Sequence, residues 1–563
     1  MKKLIAFLLV IVLLASFVGC SKSQQDPADP AAPSADASTP SEDATAPAEN
    51  AAAPSEDSAP SEDTAPDAED AKYGGHLNFI SEMVPTNLDP AKSTGVYKYM
   101  YTNLAYEAPL TRDVEGNIAP NVCDFELSED GLTLKLWVVE GKTFHDGTPV
   151  EIEDVVASVQ RAVHKSPRQY VSEYIQDVTV EDGVATFTFT EYSEKTMYYI
   201  ACVHPFIGVM PKEICEKYTY ENEQIIMDPV DAIGTGPYKF VELIPDVSVT
   251  LERYEDYIPV DQGTGPAAPK MGYLDSISFI ANTDYSSIAM TLMGGDADLA
   301  ENISQDYRDQ AAAAGIKVNA IDYTAGLAIT FNTFGNNPTS ANADLRKAVL
   351  AAIDIPELVD FLHKDAYSVG GGPVLDKAYY REIFDTVDYM GEDKQDVVDA
   401  YLEAAGYNGE TLSFVCPSSA SSWATMIEAY LSAAGITIKT ESMEEEAWNE
   451  FIADPNNDWD FYMGYPSLNN TPVLLNDNVM KTWYNSPEKD ALLEALSGQL
   501  AGSADYMATW DQLAEQMVDD CAVVVLGQSK LEWFMSEDLN FDYEGRLPFL
   551  WNAYWTNPAD HAK

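Results

Sequence analysis

Apolar positions in this chain repeat with two different periods, and the two alternate along most of its length. Leu132, Leu134, Leu136 and Val138 alternate with Thr133, Lys135 and Trp137 behind the turn Glu129-Asp130-Gly131, the pattern of a half-buried strand entered from a hairpin. Ala185, Phe187 and Phe189 repeat that pattern after Asp182-Gly183. Between the two, Val155, Val156, Val159 and Val163 make one helical stripe behind an acidic first turn of Glu151, Glu153 and Asp154. Further along, Asp354-Ile-Pro-Glu357 is a capping box with proline in the first turn, predicting a helix through Leu362. Residues 412–416 form an apolar run, 423–434 have helical spacing, Gly435 suits the residue after a helix end, and Ile436 with Ile438 opens another strand. That succession is a βαβ unit and predicts a parallel sheet. The expected class is therefore α/β with mixed sheets and early hairpins.

The amino terminus departs from both periods. Lys2 and Lys3 precede an unbroken apolar stretch over residues 4–14, too short to cross a bilayer but suited to the core of an export signal spanning 1–19. It ends Phe17-Val18-Gly19-Cys20, which resembles a bacterial lipobox, although lipoboxes usually carry leucine where Phe17 stands. The resemblance implies that Cys20 becomes the first residue of the exported protein and carries a diacylglycerol. Two acyl chains hold a membrane stably where one does not, at about 0.8 kcal/mol per buried methylene. The alternative is an ordinary secretory signal with a cysteine at its cleavage site. Residues 20–72 read as a tether: between 21 and 70 there are thirteen acidic residues and one basic residue, Lys22, among Ala, Pro, Ser and Thr, with Pro-Ser-Glu-Asp at 40–43, 54–57 and 60–63. No apolar core forms from such a composition. As a flexible coil it would span roughly 40 Å, and more when stretched by its own charge.

Beyond the tether, composition sets limits rather than an identity. A chain of 563 residues with 46% hydrophobic and 11% aromatic content has material for more than one large core. Its 92 acidic against 32 basic residues give a net charge of −60, a field that repels phosphate backbones, so nucleic acid is excluded as a partner. No second apolar run approaches membrane-spanning length, which leaves the body attached through its amino terminus alone. After Cys20 come Cys123, Cys202, Cys215, Cys416 and Cys521, an odd set without C-x-x-C spacing. It allows either one disulfide, Cys202 with Cys215, or scattered buried thiols, and does not support a structural zinc. G-x-S-x-G, Walker A and H-E-x-x-H motifs are absent from the sequence. Asp454, Asn456 and Asp458 have the spacing of a calcium loop, but Trp459 stands where glycine is needed and Tyr465 where a bidentate glutamate belongs. The histidines at 76, 145, 164, 204, 363 and 561 have no ligand spacing. Neither a metal nor another cofactor is expected, and no catalytic constellation is found.

Several segments instead resemble the solute-binding proteins of ABC importers in the oligopeptide and dipeptide class, over nearly all of 73–563. The densest stretch runs from Leu127 to Arg161, with Ser-Glu-Asp-Gly-Leu-Thr-Leu-Lys-Leu, Glu140-Gly-Lys142, Phe144-His-Asp-Gly-Thr-Pro149 and Glu153-Asp-Val155 in order. Gly234-Thr-Gly-Pro-Tyr238, Gly294-Gly-Asp-Ala-Asp298, Phe331-Asn-Thr333, Leu345-Arg-Lys-Ala348, Ala352-Ile-Asp354 and Asn485-Ser-Pro-Glu488 extend it. The resemblance implies a two-lobed receptor of the periplasmic-binding-protein type (class II), with lobe I over 73–325, an inserted subdomain at about 120–230, lobe II over 326–529, and a return to lobe I over 530–563. The chain would cross the hinge twice, near 330–332 and near 526–530. It also implies a monomer that captures a small peptide or peptide-like ligand on the extracellular face and delivers it to ABC permease and ATPase subunits. A surface lipoprotein hydrolase and a peptide-sensing receptor without transport are the alternatives.

Two of the matching segments read first as backbone features. Gly147 and Pro149 shape a turn that His145 and Asp146 would fix, and the small residues of Gly234-Thr-Gly-Pro237 allow chains to approach closely. Candidate ligand contacts are Tyr97 and Tyr101, four apart on one helical face; Asn332 and Thr333 at the lobe crossing; Ser421, Ser422 and Trp423 at a helix start; and Tyr465, Leu468 and Asn469. Core packing of the tyrosines and helix capping by the serines explain the same residues without a ligand. Within 459–472, Leu468 falls where peptide-binding relatives carry an aspartate that pairs with the peptide's α-ammonium. A buried ammonium without a counter-charge costs several kcal/mol, so the substitution points away from free-amine peptides and toward modified peptides, opines, sugars or a chelated metal within the same class.

Because nothing in residues 21–70 can build a packed face, deleting them from the exported protein should leave its thermal midpoint unchanged. A differential scanning calorimetry shift of several degrees would mean that the segment docks on the body.

Overall fold

The computed structural model describes residues 70–92, 96–165, 170–202, 206–219, 224–261, 263–362, 367–368, 372, 379–390, 394–464, 472, 483–544 and 547–562. The expected export signal over 1–19, Cys20 and nearly all of the expected tether lie outside these residues.

Strand β1 (His76–Ser81) comes first, followed by helix α1 (Val96–Ala105). A separate antiparallel sheet is then built from β2 (Cys123–Leu127), β3 (Thr133–Val138), β4 (Ile175–Glu181) and β5 (Val184–Phe189), in spatial order β2-β3-β5-β4. The alternation predicts its buried face: Leu134, Leu136, Ala185 and Phe187 lie in one core. Helix α2 (Ile152–Lys165) lays Val155, Val159 and Val163 into it, with Val156 at its margin. Helix α3 (Glu194–Ile200) starts where the Ser193 hydroxyl accepts a hydrogen bond from the Thr196 amide.

Apart from three short two-stranded ribbons, the remaining strands described join β1 in one eleven-stranded sheet. They are β6 (Tyr238–Ile244), β7 (Ser248–Arg253), β8 (Ser276–Ala281), β9 (Leu299–Glu301), β10 (Ile316–Phe331), β11 (Leu412–Pro417), β12 (Ile438–Met443), β13 (Phe461–Gly464) and β14 (Val523–Ser536). Their order is β12-β11-β13-β10-β14-β9-β1-β8-β7-β6, with residues 367–368 pairing on β14. Helices α4 (Ile355–Leu362), α5 (Ser421–Ala433), α6 (Pro487–Ser497) and α7 (Ala504–Asp520) cover the β11–β13 half. The Asp354 carboxylate caps α4 by accepting from the Glu357 amide at 3.0 Å. Helix α5 links parallel neighbours β11 and β12, as the βαβ reading predicts, and Gly435 follows it at φ +80°.

Strands β10 and β14 belong to both halves, and the core divides along them. Trp533 and Met535 pack with β1 and β8 and Val318 with Ile80 of β1, whereas Leu327, Ile329, Val524 and Leu526 pack with α4, α5 and β11. Their antiparallel ladder shifts register between Asp322 and Gly326, opposite 528–530. On β10 the shift precedes 330–332, where Thr330 sits within continuous pairing, with Tyr462 on one side and Val523 on the other.

All five cysteines described are free and buried, so the pairing of Cys202 with Cys215 is not made and the alternative of scattered thiols is what the fold adopts. The inserted sheet is held to the main lobe by a buried charge cluster absent from the sequence reading. Glu107, just past α1, accepts from Lys142 Nζ at 3.1 Å, Lys270 Nζ at 3.1 Å and the Tyr257 hydroxyl at 2.8 Å. Burial alone would raise the pKa of Glu107, but the two ammonium groups and these hydrogen bonds hold it at about 2. Burial pushes Lys142 down while Glu107 supports it, which offsets part of the carboxylate's gain.

A folded-state pKa below the ordinary 4.5 means that this contribution is complete above about pH 4.5 and is lost as pH falls toward 2. Glu107→Gln, which strands two buried ammonium groups, should cost about 3–5 kcal/mol at pH 7. Urea unfolding across pH should show the gap from wild type closing below pH 4.5. A pH-independent gap would contradict the assignment.

Candidate functional site

The strand directions locate a cleft before any side chain is considered. Strands β1, β8 and β9 are mutually parallel, and β9 and β10 both run antiparallel to β14, so these four share one direction. Strand β13 opposes β10 and is parallel to β11, which is parallel to β12. Since β10 runs from the first lobe into the second, the carboxyl ends of β1, β8 and β9 point toward the second lobe, and those of β11, β12 and β13 point back toward the first. Carboxyl ends of parallel strands are where open α/β sheets bind ligands, and here two such sets face each other across the β10–β14 crossing.

On the first-lobe side, β1 ends in Ser81, whose hydroxyl donates to the Met83 carbonyl at 2.8 Å. Glu82, Met83, Val84, Asp246 and Asn282 line a cavity of about 330 Å³ there. The Tyr285 hydroxyl donates to Glu82 at 2.7 Å and holds the carboxylate at its rim. On the second-lobe side, Ser418 follows β11 and its hydroxyl donates to Glu444, just past β12, at 3.3 Å. The two faces thus present hydroxyls, carboxylates and strand-end backbone.

Four of the candidate contacts, Tyr101, Asn332, Thr333 and Trp423, lie in protein interior. Tyr101 is 1% exposed, with ring centroids 5.9 Å from Phe279 and 6.5 Å from Phe240 in the first-lobe core. Asn332 is fully buried, donating to the Pro455 carbonyl at 2.9 Å and accepting from the Phe334 amide at 3.1 Å. The Thr333 hydroxyl accepts from the Asn485 amide at 2.7 Å, so both residues anchor a second-lobe loop. Asp460 fixes the same loop by accepting from the Thr339 and Ser413 amides at 3.0 and 2.8 Å. Trp423 packs against Phe414 at 6.0 Å in the second-lobe core. Tyr97 lies on α1, and Ser421 and Ser422 open α5 beside the strand end, without described side chains. Tyr465, Leu468 and Asn469 lie outside the described residues.

Of the two residues expected to fix the 144–149 turn, Asp146 does so, whereas His145 holds a segment 89 to 91 positions further along. His145 Nε2 donates to the Gly236 carbonyl at 3.1 Å while Nδ1 accepts from the Gly234 amide at 3.2 Å, a neutral ring clamping two glycines. A Cβ at Gly234 would stand 2.1 Å from the Ala105 carbonyl oxygen, which is why glycine is required. Asp146 accepts from both the amide and the hydroxyl of Thr148. A Ser–His contact does occur: Ser276 Oγ lies 2.6 Å from His76 Nδ1. Both residues are buried at the start of paired strands, the opposite end from the cleft. Among the described residues no group of three or more His, Cys, Asp or Glu side chains is placed to hold a metal ion, and no helix is long and apolar enough to cross a membrane.

Comparison with known proteins agrees with this geometry. The chain is 22% identical over 502 residues to the oligopeptide-binding protein AppA of Bacillus subtilis, covering 83% of this chain and 88% of that one. The solved structure of the ABC transporter substrate-binding protein CtaP from Listeria monocytogenes superposes with a TM-score of 0.69 at 20% identity, covering 86% of this chain and all of that one. AgaA from Agrobacterium tumefaciens R10, solved with agropinic acid, superposes with a TM-score of 0.62 at 19% identity, covering 84% and 96% of the two chains. The sequence model for the middle region of the bacterial extracellular solute-binding proteins, family 5, matches residues 111–490. With two thirds of its length matched in this way, the chain belongs to the family 5 extracellular solute-binding proteins, a family of binding proteins rather than enzymes.

Proposed function

We propose that this chain is a lipid-anchored, monomeric receptor on the outer face of the cell membrane that captures peptides or peptide-like solutes and hands them to an ABC permease. The observation that carries this reading is the opposition of two sets of parallel-strand carboxyl ends across a two-strand crossing. A ligand touching both sets gains contacts only when the lobes approach, and only such differential affinity can drive closure. Cys20 and the acidic tether supply the anchor and the reach; the permease and its ATPases supply the destination.

The relatives frame the ligand class. AppA is named for oligopeptides and AgaA was solved with agropinic acid, so proteins of this fold take both peptides and smaller modified solutes. The resemblance that aligns Leu468 with an ammonium-pairing aspartate favours the second kind, because an isobutyl group would give an α-ammonium no partner. Tyr465 and Asn469 flank that position, and Ser421 with Ser422 would meet a ligand carboxylate at the start of α5.

Calorimetric titration of the exported protein with matched free-amine and N-acetylated di- to pentapeptides tests this. Wild type should bind the free-amine forms weakly, and Leu468→Asp should improve them relative to the acetylated forms by about tenfold or more, equivalent to at least 1.4 kcal/mol. Submicromolar binding of free-amine peptides by wild type, weakened on acetylation, would show that another carboxylate holds the amine.

A further inference from the structure

The inserted subdomain touches the second lobe at a place that neither crossing strand passes. Tyr506 on α7 donates its hydroxyl hydrogen to Glu194 Oε2, at the start of α3, at 2.8 Å, between residues 312 positions apart in sequence. Glu194 is 1% exposed and Tyr506 fully buried, so a carboxylate is enclosed at the junction of the two bodies. Beside it, the Ala501 amide, in the connection between α6 and α7, donates to the Tyr192 hydroxyl at 3.2 Å.

Both partners are preset by their own lobe. On the subdomain, the Tyr192 ring lies against the hairpin turn at Gly131, where φ is +69° and an added Cβ would stand 2.4 Å from the ring. On the second lobe, the Ser503 hydroxyl caps α7 by accepting from the Tyr506 amide at 3.2 Å, and the Tyr379 ring packs 6.4 Å from that of Tyr506. Burial and the neighbouring Glu194 carboxylate hold the Tyr506 phenol well above its usual range, so it stays a donor. A cavity of about 750 Å³ adjoins the contact, walled by Tyr174 and Glu191 on one side and Leu493 and Ser497 on the other.

A rotation of the lobes about the β10–β14 register break must make or break these contacts, whatever occupies the cleft. Separation hydrates Glu194 and Tyr506; approach exchanges that water for a charge-assisted hydrogen bond in a low-dielectric setting. We propose that Tyr506–Glu194 and Tyr192–Ala501 form a closure latch that fixes how much of the ligand-free protein is closed. The proposal rests on the solute-capture reading and adds to it that the latch scales affinity for every ligand by one common factor, since only the closed fraction presents the complete site.

The test is a distance distribution on ligand-free protein, by double electron–electron resonance between labels at the exposed positions Glu181 and Glu515, on the subdomain and α7. Wild type should show a short-distance population. Tyr506→Phe, which keeps the ring and its packing, should lower the closed-to-open ratio about tenfold, or about 1.4 kcal/mol. Tyr192→Phe, which keeps the ring over Gly131, should shift the distribution the same way by less. A wild type without the short-distance population, or a Tyr506→Phe distribution identical to wild type, overturns the latch. Neither result bears on ligand capture, whose failure would appear separately as a closed fraction that no peptide or copurified solute ever changes.

Discussion

The antiparallel ladder between β10 and β14 is the constraint on which the rest of the molecule depends. These are long strands, of 16 and 14 residues, and each contributes side chains to both lobe cores. A continuous ladder of that length would weld the lobes together. The register shift between Asp322 and Gly326 interrupts it where the cores divide, and an interrupted two-strand ladder twists at low cost while still preventing the lobes from sliding apart. Because the ladder is antiparallel, and each lobe adds its parallel strands on opposite sides of it, the carboxyl ends are obliged to meet over the crossing. The cleft follows from strand direction and does not require any particular side chain.

Buried polar groups fix how loops seat on this frame. Glu107 with Lys142 and Lys270 joins the inserted subdomain to the first lobe, and Arg161 reaches from α2 to Asp89 at 2.5 Å across the same junction. Asp460 seats the loop after β10 against β11. Enclosed ion pairs of this kind contribute little net stability, yet removing one partner is costly, so they favour one docking of the subdomain over alternatives more than they strengthen it.

Local features were legible in the sequence because their causes are local. The alternation of Leu134 and Leu136, the stripe of Val155, Val159 and Val163, the cap at Asp354 and the βαβ unit around α5 each arise from residues a few positions apart. The close approach at Gly234 was also readable, since small residues are what lets chains meet, but the His145 clamp onto that segment was not, its partners lying 89 and 91 positions away. What joins distant segments was not. Nothing about Glu107, Glu194 or Tyr506 distinguishes them in a chain with 92 acidic residues and 32 tyrosines, and their partners lie 35 to 312 positions away. The burial of Tyr101, Asn332, Thr333 and Trp423 was not legible for a related reason. A polar or aromatic residue near a strand end serves a ligand or a core equally well by type, and burial decides between them.

The central claim is that one ligand bridges the two facing sets of strand ends. Hydrogen exchange of the exported protein, before and after adding back the solute that copurifies with it from its own host, tests that most directly. The account predicts that amides at 82–84, past β1, and at 418–420, past β11, gain protection together, with those around the 322–326 register break changing as the lobes rotate. Protection confined to one lobe, with the other unchanged at saturating solute, would contradict it.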